Sequence, residues 1–346
     1  MSTKLAYNKA VVLKPAIKDK CVPDDFYSTT NHTTMIYCKD RWMTVQNQRM
    51  DALIVVNETG AFCKKLRDIK KGDYVVCGDD GVKIQSPASD ENGEAFGFMN
   101  NCVSSERRNE LLIRALAGKI AFQKSKVVVV AGPVVVHTGG DRYLTELIRE
   151  GYVSGLLSGN AVAVHDMEKS MFGTSLGICY KSGRPVENGY RNHMRAINRI
   201  MKHGSIKEAV EAGELKSGVM YECVVNNVPY ALAGSLRDDG PLPDTITDMI
   251  QAQNEYNKLL QEVDIVLVLG SMLHGIATGN MLPAEVEMVC VDINPAVVTK
   301  LSDRGSSQAA GIVTDVGLFL NLLTKELREL KAEAGNETEC MKRHAI

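Results

Sequence analysis

Two patterns of apolar residues divide the chain. From about Cys21 to Cys102 the apolar positions come in short runs cut by turn residues. Thr33–Cys38, Trp42–Gln46, Ala52–Val56 and Tyr74–Cys77 are such runs, with turns at Asp79-Asp80-Gly81 and Gly93. Short apolar runs bounded by Gly and Asp predict strands joined by tight connections. The one helical candidate in this half is Cys63–Ile69, so residues 1–103 are expected to form a small β-rich domain.

Ser104 and Ser105 can cap a helix over residues 104–125. Its apolar face, Leu111, Leu112, Ala115, Leu116 and Ile120, recurs at helical spacing and makes this segment a connector. The grammar then changes. Val127–Ala131 is fully apolar, and further strand-like segments at Val153–Leu157, Tyr230–Ala233, Asp264–Leu269 and Val286–Val291 are interspersed with helical patterns at Asp141–Arg149, Ile246–Val263 and Val316–Glu333. Strands apolar on both faces and separated by helices predict a parallel sheet covered on both sides. The expected fold class is α/β: the β-rich N-terminal domain, then a doubly wound Rossmann-type domain over 126–335 and a tail at 336–346.

Composition narrows the function classes. The 346 residues are 45% hydrophobic and 24% charged, an ordinary balance for a soluble globular protein. A formal charge of -2 gives no electrostatic reason to expect nucleic acid or an anionic membrane. The nine cysteines are dispersed without any C-x-x-C, which points to a reducing, cytoplasmic compartment. Cys77, Cys179 and Cys290 lie in apolar runs and are expected to be buried thiols. The N-terminal residues have no apolar core of signal-peptide length, and no segment reaches membrane-spanning length. The histidines show neither H-E-x-x-H nor a paired Cys/His spacing, which argues against a metal enzyme.

In a doubly wound sheet, ligands sit at the carboxyl ends of the strands. Four such ends carry small or polar residues. They are Ala131-Gly132-Pro133 running on to His137-Thr138-Gly139-Gly140, Ser158-Gly159-Asn160-Ala161, Gly270-Ser271-Met272-Leu273-His274-Gly275, and Asp292-Ile293-Asn294. The third, opening a helix, would turn backbone N–H groups and the positive end of a helix dipole toward a pyrophosphate. The plainer reading is a connecting loop with small residues for packing. Asp292 stands where a Rossmann-type sheet holds a ribose hydroxyl. Yet no two glycines in the chain are two residues apart, so the usual G-x-G-x-x-G turn is missing.

The segments LGSMLHGIATGNMLP, VDINP and GIVTDVGLFLNLL resemble the deoxyhypusine-synthase-like NAD-binding fold, which binds nucleotide without that turn. This likeness runs from about Lys126 to Leu323. A wider set, FYSTTNHTT, QRMDALIVV, FGFMNNCVSSE, AGPVVVHTGG, LLSGNAVAVHD, FGTSLG and SLRDDGPLPD, covers nearly the whole chain. Together these resemble the archaeal and cyanobacterial family named for the region in plant lysine-oxoglutarate reductase/saccharopine dehydrogenase. The resemblance implies an NAD-dependent ornithine cyclodeaminase that makes L-proline and ammonia from L-ornithine through an internal hydride cycle. It also implies a homo-oligomer with no nucleic-acid or membrane partner.

By the same resemblance, Ser271, Met272, Leu273 and His274 line the dinucleotide. Asp292 accepts from the adenosine ribose and would repel a 2′-phosphate, favouring NAD over NADP. Asp315 and Val316 are expected at the adenine, although Asp315 read alone is an N-cap. Asn160 and Ala161 are expected beside the cofactor, although Asn160 alone could fill a turn of positive φ. In the loop Arg237–Pro241, Asp239 is expected to face NAD and Asp238 the substrate, against the alternative of a solvated turn. His165, Asp166 and Glu168 fall on one helix, with His165 the candidate general base or a satisfied structural histidine. Thr29–His32 is a candidate substrate contact. The arginine for the substrate carboxylate stays open among Arg107, Arg184, Arg191, Arg195 and Arg237. Another NAD-dependent amino-acid or polyamine enzyme on this fold, and a non-catalytic NAD-sensing module, remain rival readings.

Overall fold

The structure, a computed structural model, describes residues 9–85, 105–122, 125–238, 240–303 and 309–343. These fall into two compact units. The first comprises residues 9–85 together with Gly279–Val286, and the second the described parts of 100–278, 287–303 and 309–346.

The first unit holds β1 (Val12–Pro15), β2 (Thr34–Cys38), β3 (Arg41–Thr44), β4 (Leu53–Val56), β5 (Ala61–Lys64), β6 (Tyr74–Cys77) and β7 (Val82–Ile84). They pair antiparallel in two small sheets, ordered β1-β6-β4-β5 and β3-β2-β7. Because side chains alternate across a strand, β4 serves two cores. Ile54 and Val56 pack with Ile36, Ala61 and Val76, while Leu53 and Val55 pack with Ile69, Val75 and Cys77. The helix expected over Cys63–Ile69 does not form. Cys63 pairs with Ile54 in the β4–β5 ladder, and only Leu66–Asp68 makes a single 3₁₀ turn. The stray segment Gly279–Val286 is tied in by Ala284 N–H to Asn31 O and by Thr33 Oγ1 to Glu285.

The second unit opens with α1 (Ser105–Phe122), β8 (Val127–Ala131), α2 (Val134–His137), α3 (Asp141–Arg149), β9 (Gly155–Gly159) and α4 (Asn160–Phe172). A short hairpin follows, β10 (Thr174–Ser175) and β11 (Ile178–Cys179), then α5 (Asn192–His203), α6 (Ile206–Glu211) and α7 (Val219–Val225). The chain continues through β12 (Tyr230–Ala233), β13 (Thr245–Ile246), α8 (Met249–Leu259), β14 (Ile265–Leu269), α9 (Met272–Gly279), β15 (Glu287–Asp292), α10 (Pro295–Asp303), β16 (Ala309–Val313) and α11 (Val316–Arg343). Seven of these strands form one parallel sheet in the order β13-β12-β9-β8-β14-β15-β16. The sheet is the α/β architecture expected from the sequence. Every residue of β8 and β14 is buried, as central strands covered on both faces require.

Several details differ from the sequence reading. In α1 the buried face is Ile113, Leu116, Ala117 and Ile120, while Leu111 stays half exposed. Two apolar stripes compete on this helix, and packing along α11 selects the one at i, i+3, i+4 and i+7. Thr245 and Ile246 pair with Leu232 and Ala233 as an edge strand, so α8 starts later, where Asp248 caps it by accepting from Gln251 N–H at 2.8 Å. Cys179 is half-buried on its short hairpin, not buried, whereas Cys77 and Cys290 are buried. No helix among the described residues is long and apolar enough to cross a membrane.

The sheet's centre rests on a backbone contact. Gly132 N–H donates to Leu269 O at 2.8 Å, and a Cβ built on Gly132 would lie 2.0 Å from Gly270 O. That neighbour is main chain and cannot swing aside. Gly132→Ala is therefore expected to reach the upper end of overpacking costs, about 3 kcal/mol. Urea unfolding checks this; a variant within experimental error of the wild type would show that the strand ends are free to part.

Candidate active site

From β8 the chain proceeds outward through β9, β12 and β13 on one side, while β14, β15 and β16 lie on the other. The order reverses between β8 and β14, and a crevice at such a switch point is where open α/β sheets bind ligands. Gly270, at φ 59°, ends β14. Its missing Cβ makes room for Val134 at the start of α2 and Val316 at the start of α11. Three helix starts and two strand ends thus share one edge.

The residues expected to hold a dinucleotide gather along that edge. Ser271 leads into α9, and its Oγ lies 3.1 Å from His274 Nδ1. The first N–H groups of a helix have no partner within it, so the opening turn Met272–His274 offers donors. His274 packs against Tyr256 with ring centroids 6.1 Å apart and against the bare Cα of Gly159. Burial lowers its pKa and holds it neutral. Met272, Leu273, Ile293 and Val313 are exposed apolar side chains along this rim. Asp292 ends β15, and its Oδ1 accepts from Asn294 N–H at 2.8 Å. Asp315 Oδ1 accepts from Leu318 N–H at 2.9 Å, an N-cap bond for α11, and Val316 is buried. Free helix-start donors, a carboxylate on the neighbouring strand and an apolar rim are a donor set that fits a dinucleotide.

The other side of the switch point is more committed to structure. Asn160 opens α4 but is only 3% exposed. Its Oδ1 accepts from Leu242 N–H at 3.0 Å and Thr245 Oγ1 at 2.9 Å, which anchors the loop after β12. Ala161 beside it is half-buried. Asp238 Oδ2 accepts from Ser235 N–H at 2.8 Å and closes a turn. Asp239 lies outside the described residues.

Further along α4 lies a cluster that sequence reasoning only partly saw. Glu168 is fully buried, and its carboxylate accepts from Thr174 Oγ1 at 2.8 Å, Gly177 N–H at 3.0 Å and Leu176 N–H at 3.1 Å. His165 Nδ1 is 3.2 Å from the same carboxylate. Burial pushes the Glu168 pKa up, but the bonds from His165, Gly177, Thr174 and Leu176 outweigh it and leave the group below its ordinary value. The His165 ring meets the edge of His137 at 4.9 Å between centroids, and His137 Nδ1 is 2.7 Å from Ser175 Oγ. Lys169 pairs with Asp141 at 2.7 Å and sits 4.8 Å from the Tyr180 ring centroid. The i, i+3 spacing of His165 and Glu168 was readable; the approach of His137, Ser175 and Tyr180 from other elements was not.

Fold and edge together define a Rossmann-type α/β protein whose candidate ligand edge lies at the switch point. More narrowly, the chain belongs to the family described as the C-terminal region of ArgZ-like arginine dihydrolase. Residues 113–323 match the family's Rossmann-fold region and residues 33–113 its first region. It is 54% identical to the ornithine cyclodeaminase of Methanocaldococcus jannaschii, over 93% of this chain and 79% of that one. The crystal structure of a conserved LOR/SDH protein from Methanococcus maripaludis S2 superposes with a TM-score of 0.88 at 47% identity, over 93% of this chain and 99% of that one. The structure of AgrE in ternary complex with ornithine and NAD+ superposes with a TM-score of 0.64 at 50% identity, over 94% of this chain. The likeness spans 47% of that longer chain.

Asp166, next to His165, is fully buried and accepts from Val219 N–H at 2.8 Å and Met220 N–H at 2.9 Å, at the start of α7. Burial, more than the nearby Asp141 charge, pushes its pKa up to about 7 from 3.8. A raised carboxyl pKa favours the protonated folded state, so this contribution is full below about pH 4 and is lost as pH rises through 7. The loss amounts to about 4 kcal/mol. Urea unfolding of wild type and Asp166→Asn across pH 4–8 should show the wild type losing stability relative to the variant as pH rises. A difference that does not vary with pH would remove Asp166 as a titrating group.

Proposed function

We propose that this chain is an NAD-dependent ornithine cyclodeaminase, converting L-ornithine to L-proline and ammonia. The observation that carries the reading is the pairing of Asp292, at the end of β15, with the open first turn of α9 beside it on the switch-point edge. It stands in a chain that is half identical to a relative whose structure holds both ornithine and NAD+. Bound NAD would take hydride from Cα of ornithine and return it to the cyclic imine left once the δ-amine has displaced ammonia.

The chain's own residues then divide the work. The N–H groups of Met272, Leu273 and His274 face the pyrophosphate, with Ser271 fixing the imidazole of His274. Asp292 accepts from the adenosine ribose. Asp315 turns the oxygen not engaged in capping toward the adenine amine, beside the N–H of Val316. Asn160 and Ala161 approach the cofactor from α4, and Asp239 from the loop after β12. Asp238 faces the substrate from that loop, and His165 belongs to the proton-handling group. The exposed apolar rim excludes water from the bases and the nicotinamide. Free thiols throughout the described residues suit a reducing cytoplasm, and a homo-oligomer is the assembly we propose.

Asp292→Ala should weaken NAD binding by roughly 1.5–3 kcal/mol, the range for a hydrogen bond to a charged group. Calorimetry decides this, and an unchanged affinity would move the ribose site elsewhere. The reaction itself is tested with ornithine carrying deuterium at Cα. The label should reappear at Cα of proline, with catalytic NAD sufficing for many turnovers and the α-nitrogen leaving as ammonia. Stoichiometric release of NADH, or loss of the δ-nitrogen, would replace the cyclodeaminase with a dehydrogenase.

A further inference from the structure

A pocket of about 290 Å³ lies within the second unit, beside the switch point. Its walls include His137, Lys169, Ser175, Ile178 and Tyr180. On its wall Thr138 packs against α11, with its O and Oγ1 3.0 and 3.1 Å from where a Cβ on Gly317 would lie. Ligand pockets for drug-sized molecules run from roughly 300 Å³ upward, so this one is too small for a dinucleotide and suits an amino acid.

The chemistry of its walls is specific. Lys169 brings a positive charge, held in place by Asp141 and by the Tyr180 face, which would draw a carboxylate. His137 is exposed to the pocket while its far side is hemmed in by protein. Ser175 fixes one ring nitrogen, and His165 abuts the ring edge. Behind His165 stands Glu168, immobilised by its bonds to Thr174, Leu176 and Gly177. An imidazole at a pocket wall, oriented by a hydroxyl and backed by a second imidazole on a buried carboxylate, is the arrangement of a positioned base. His165 itself is not on the pocket wall.

We propose that this pocket holds the amino-acid substrate and that His137 moves the protons of its α-nitrogen, an inference that rests on the ornithine cyclodeaminase reading. Hydride cannot leave Cα while the α-nitrogen is an ammonium, because the C=N bond forms from that nitrogen's lone pair. His137 takes the ammonium proton; the Cα–H electron pair then leaves as hydride to the NAD+ of that reading, and the lone pair closes C=N. The δ-nitrogen adds to the same carbon as the free amine. The imidazolium returns its proton to the α-nitrogen, which departs as ammonia with the C–N electron pair while the ring nitrogen closes the cyclic C=N. The two protons shed by the δ-nitrogen end on ammonia and on the ring nitrogen of proline. His165 and Glu168 are positioning residues in this scheme.

The pH dependence has a sign. Burial lowers the His137 pKa below 6.5 and His165 lowers it further, against the opposing Glu168 charge. Lys169, paired with Asp141, and Cys179 and Tyr180 are the other titratable groups on the wall. The base form therefore persists to mildly acidic pH, and kcat should rise with pH through a midpoint below 6.5.

The test uses the full chain with NAD and ornithine. His137→Gln should cut kcat by about 100-fold or more, the lower bound for general acid–base catalysis, and abolish the acid limb. Affinities for NAD and ornithine, measured by calorimetry, should stay close to wild type. Added imidazole should restore part of the kcat of His137→Ala. Ile178→Trp, which fills the pocket from the hairpin, should raise the ornithine KM by about tenfold or more with NAD affinity unchanged. Wild-type kcat and pH profile in His137→Gln, or an unchanged KM in Ile178→Trp, would overturn the proposal while leaving the cyclodeaminase reading intact. If the wild-type protein forms no proline from ornithine, it is that underlying reading which fails.

Discussion

Two stretches of bare backbone meeting at the centre of the sheet constrain everything built around it. Ala131 and Leu269 are register partners on β8 and β14, and the next residue on each strand is glycine. A side chain on Gly132 would strike the Gly270 carbonyl; one on Gly270 would strike Val134 and press on Val316. With both absent, the starts of α2 and α11 close onto the strand ends, and α9 leaves β14 through a left-handed residue. This accounts for the missing G-x-G-x-x-G turn. The close approach that a fingerprint loop achieves with glycines on one segment is shared here between two adjacent strands.

The helix α4 shows how placement alone divides like groups. Asp166 and Glu168 are carboxylates two residues apart, both buried. Asp166 receives two backbone N–H bonds from α7, too few to offset its desolvation, and its proton is retained up to about pH 7. Glu168 receives two N–H bonds, a hydroxyl and an imidazole contact, and stays ionised below its ordinary range. The hydroxyl and both N–H groups come from the hairpin that follows α4, and the imidazole from α4 itself. One helix thus carries a neutral structural acid on one side and a fixed negative charge on the other. Such divergence is what a site needs if one charge is to orient a histidine while its neighbour leaves the local field undisturbed.

The sequence by itself determined the architecture of the second unit. Val127–Ala131 and Ile265–Leu269 are apolar at every position, and only a strand covered on both faces uses such a run. The strand ends were equally plain, because Asp292-Ile293-Asn294 and Gly270-Ser271 interrupt apolar runs abruptly. What failed were choices between equal local signals. The α1 stripe containing Leu111 looked as good as the one containing Ile113 until α11 selected it. Cys63–Ile69 had helical spacing, but pairing with β4 supplied backbone bonds that an isolated turn could not match. Ile246 read as the start of a helix because nothing local announces an edge strand. The polar cluster lay further out of reach. His137, His165, Ser175 and Lys169 come from three elements, and their meeting depends on how α2, α4 and the β10–β11 hairpin pack. Periodicity reports which face of an element is buried, because burial repeats with the element's own period; it carries no signal for which distant side chain arrives there, and only the tertiary structure decided that.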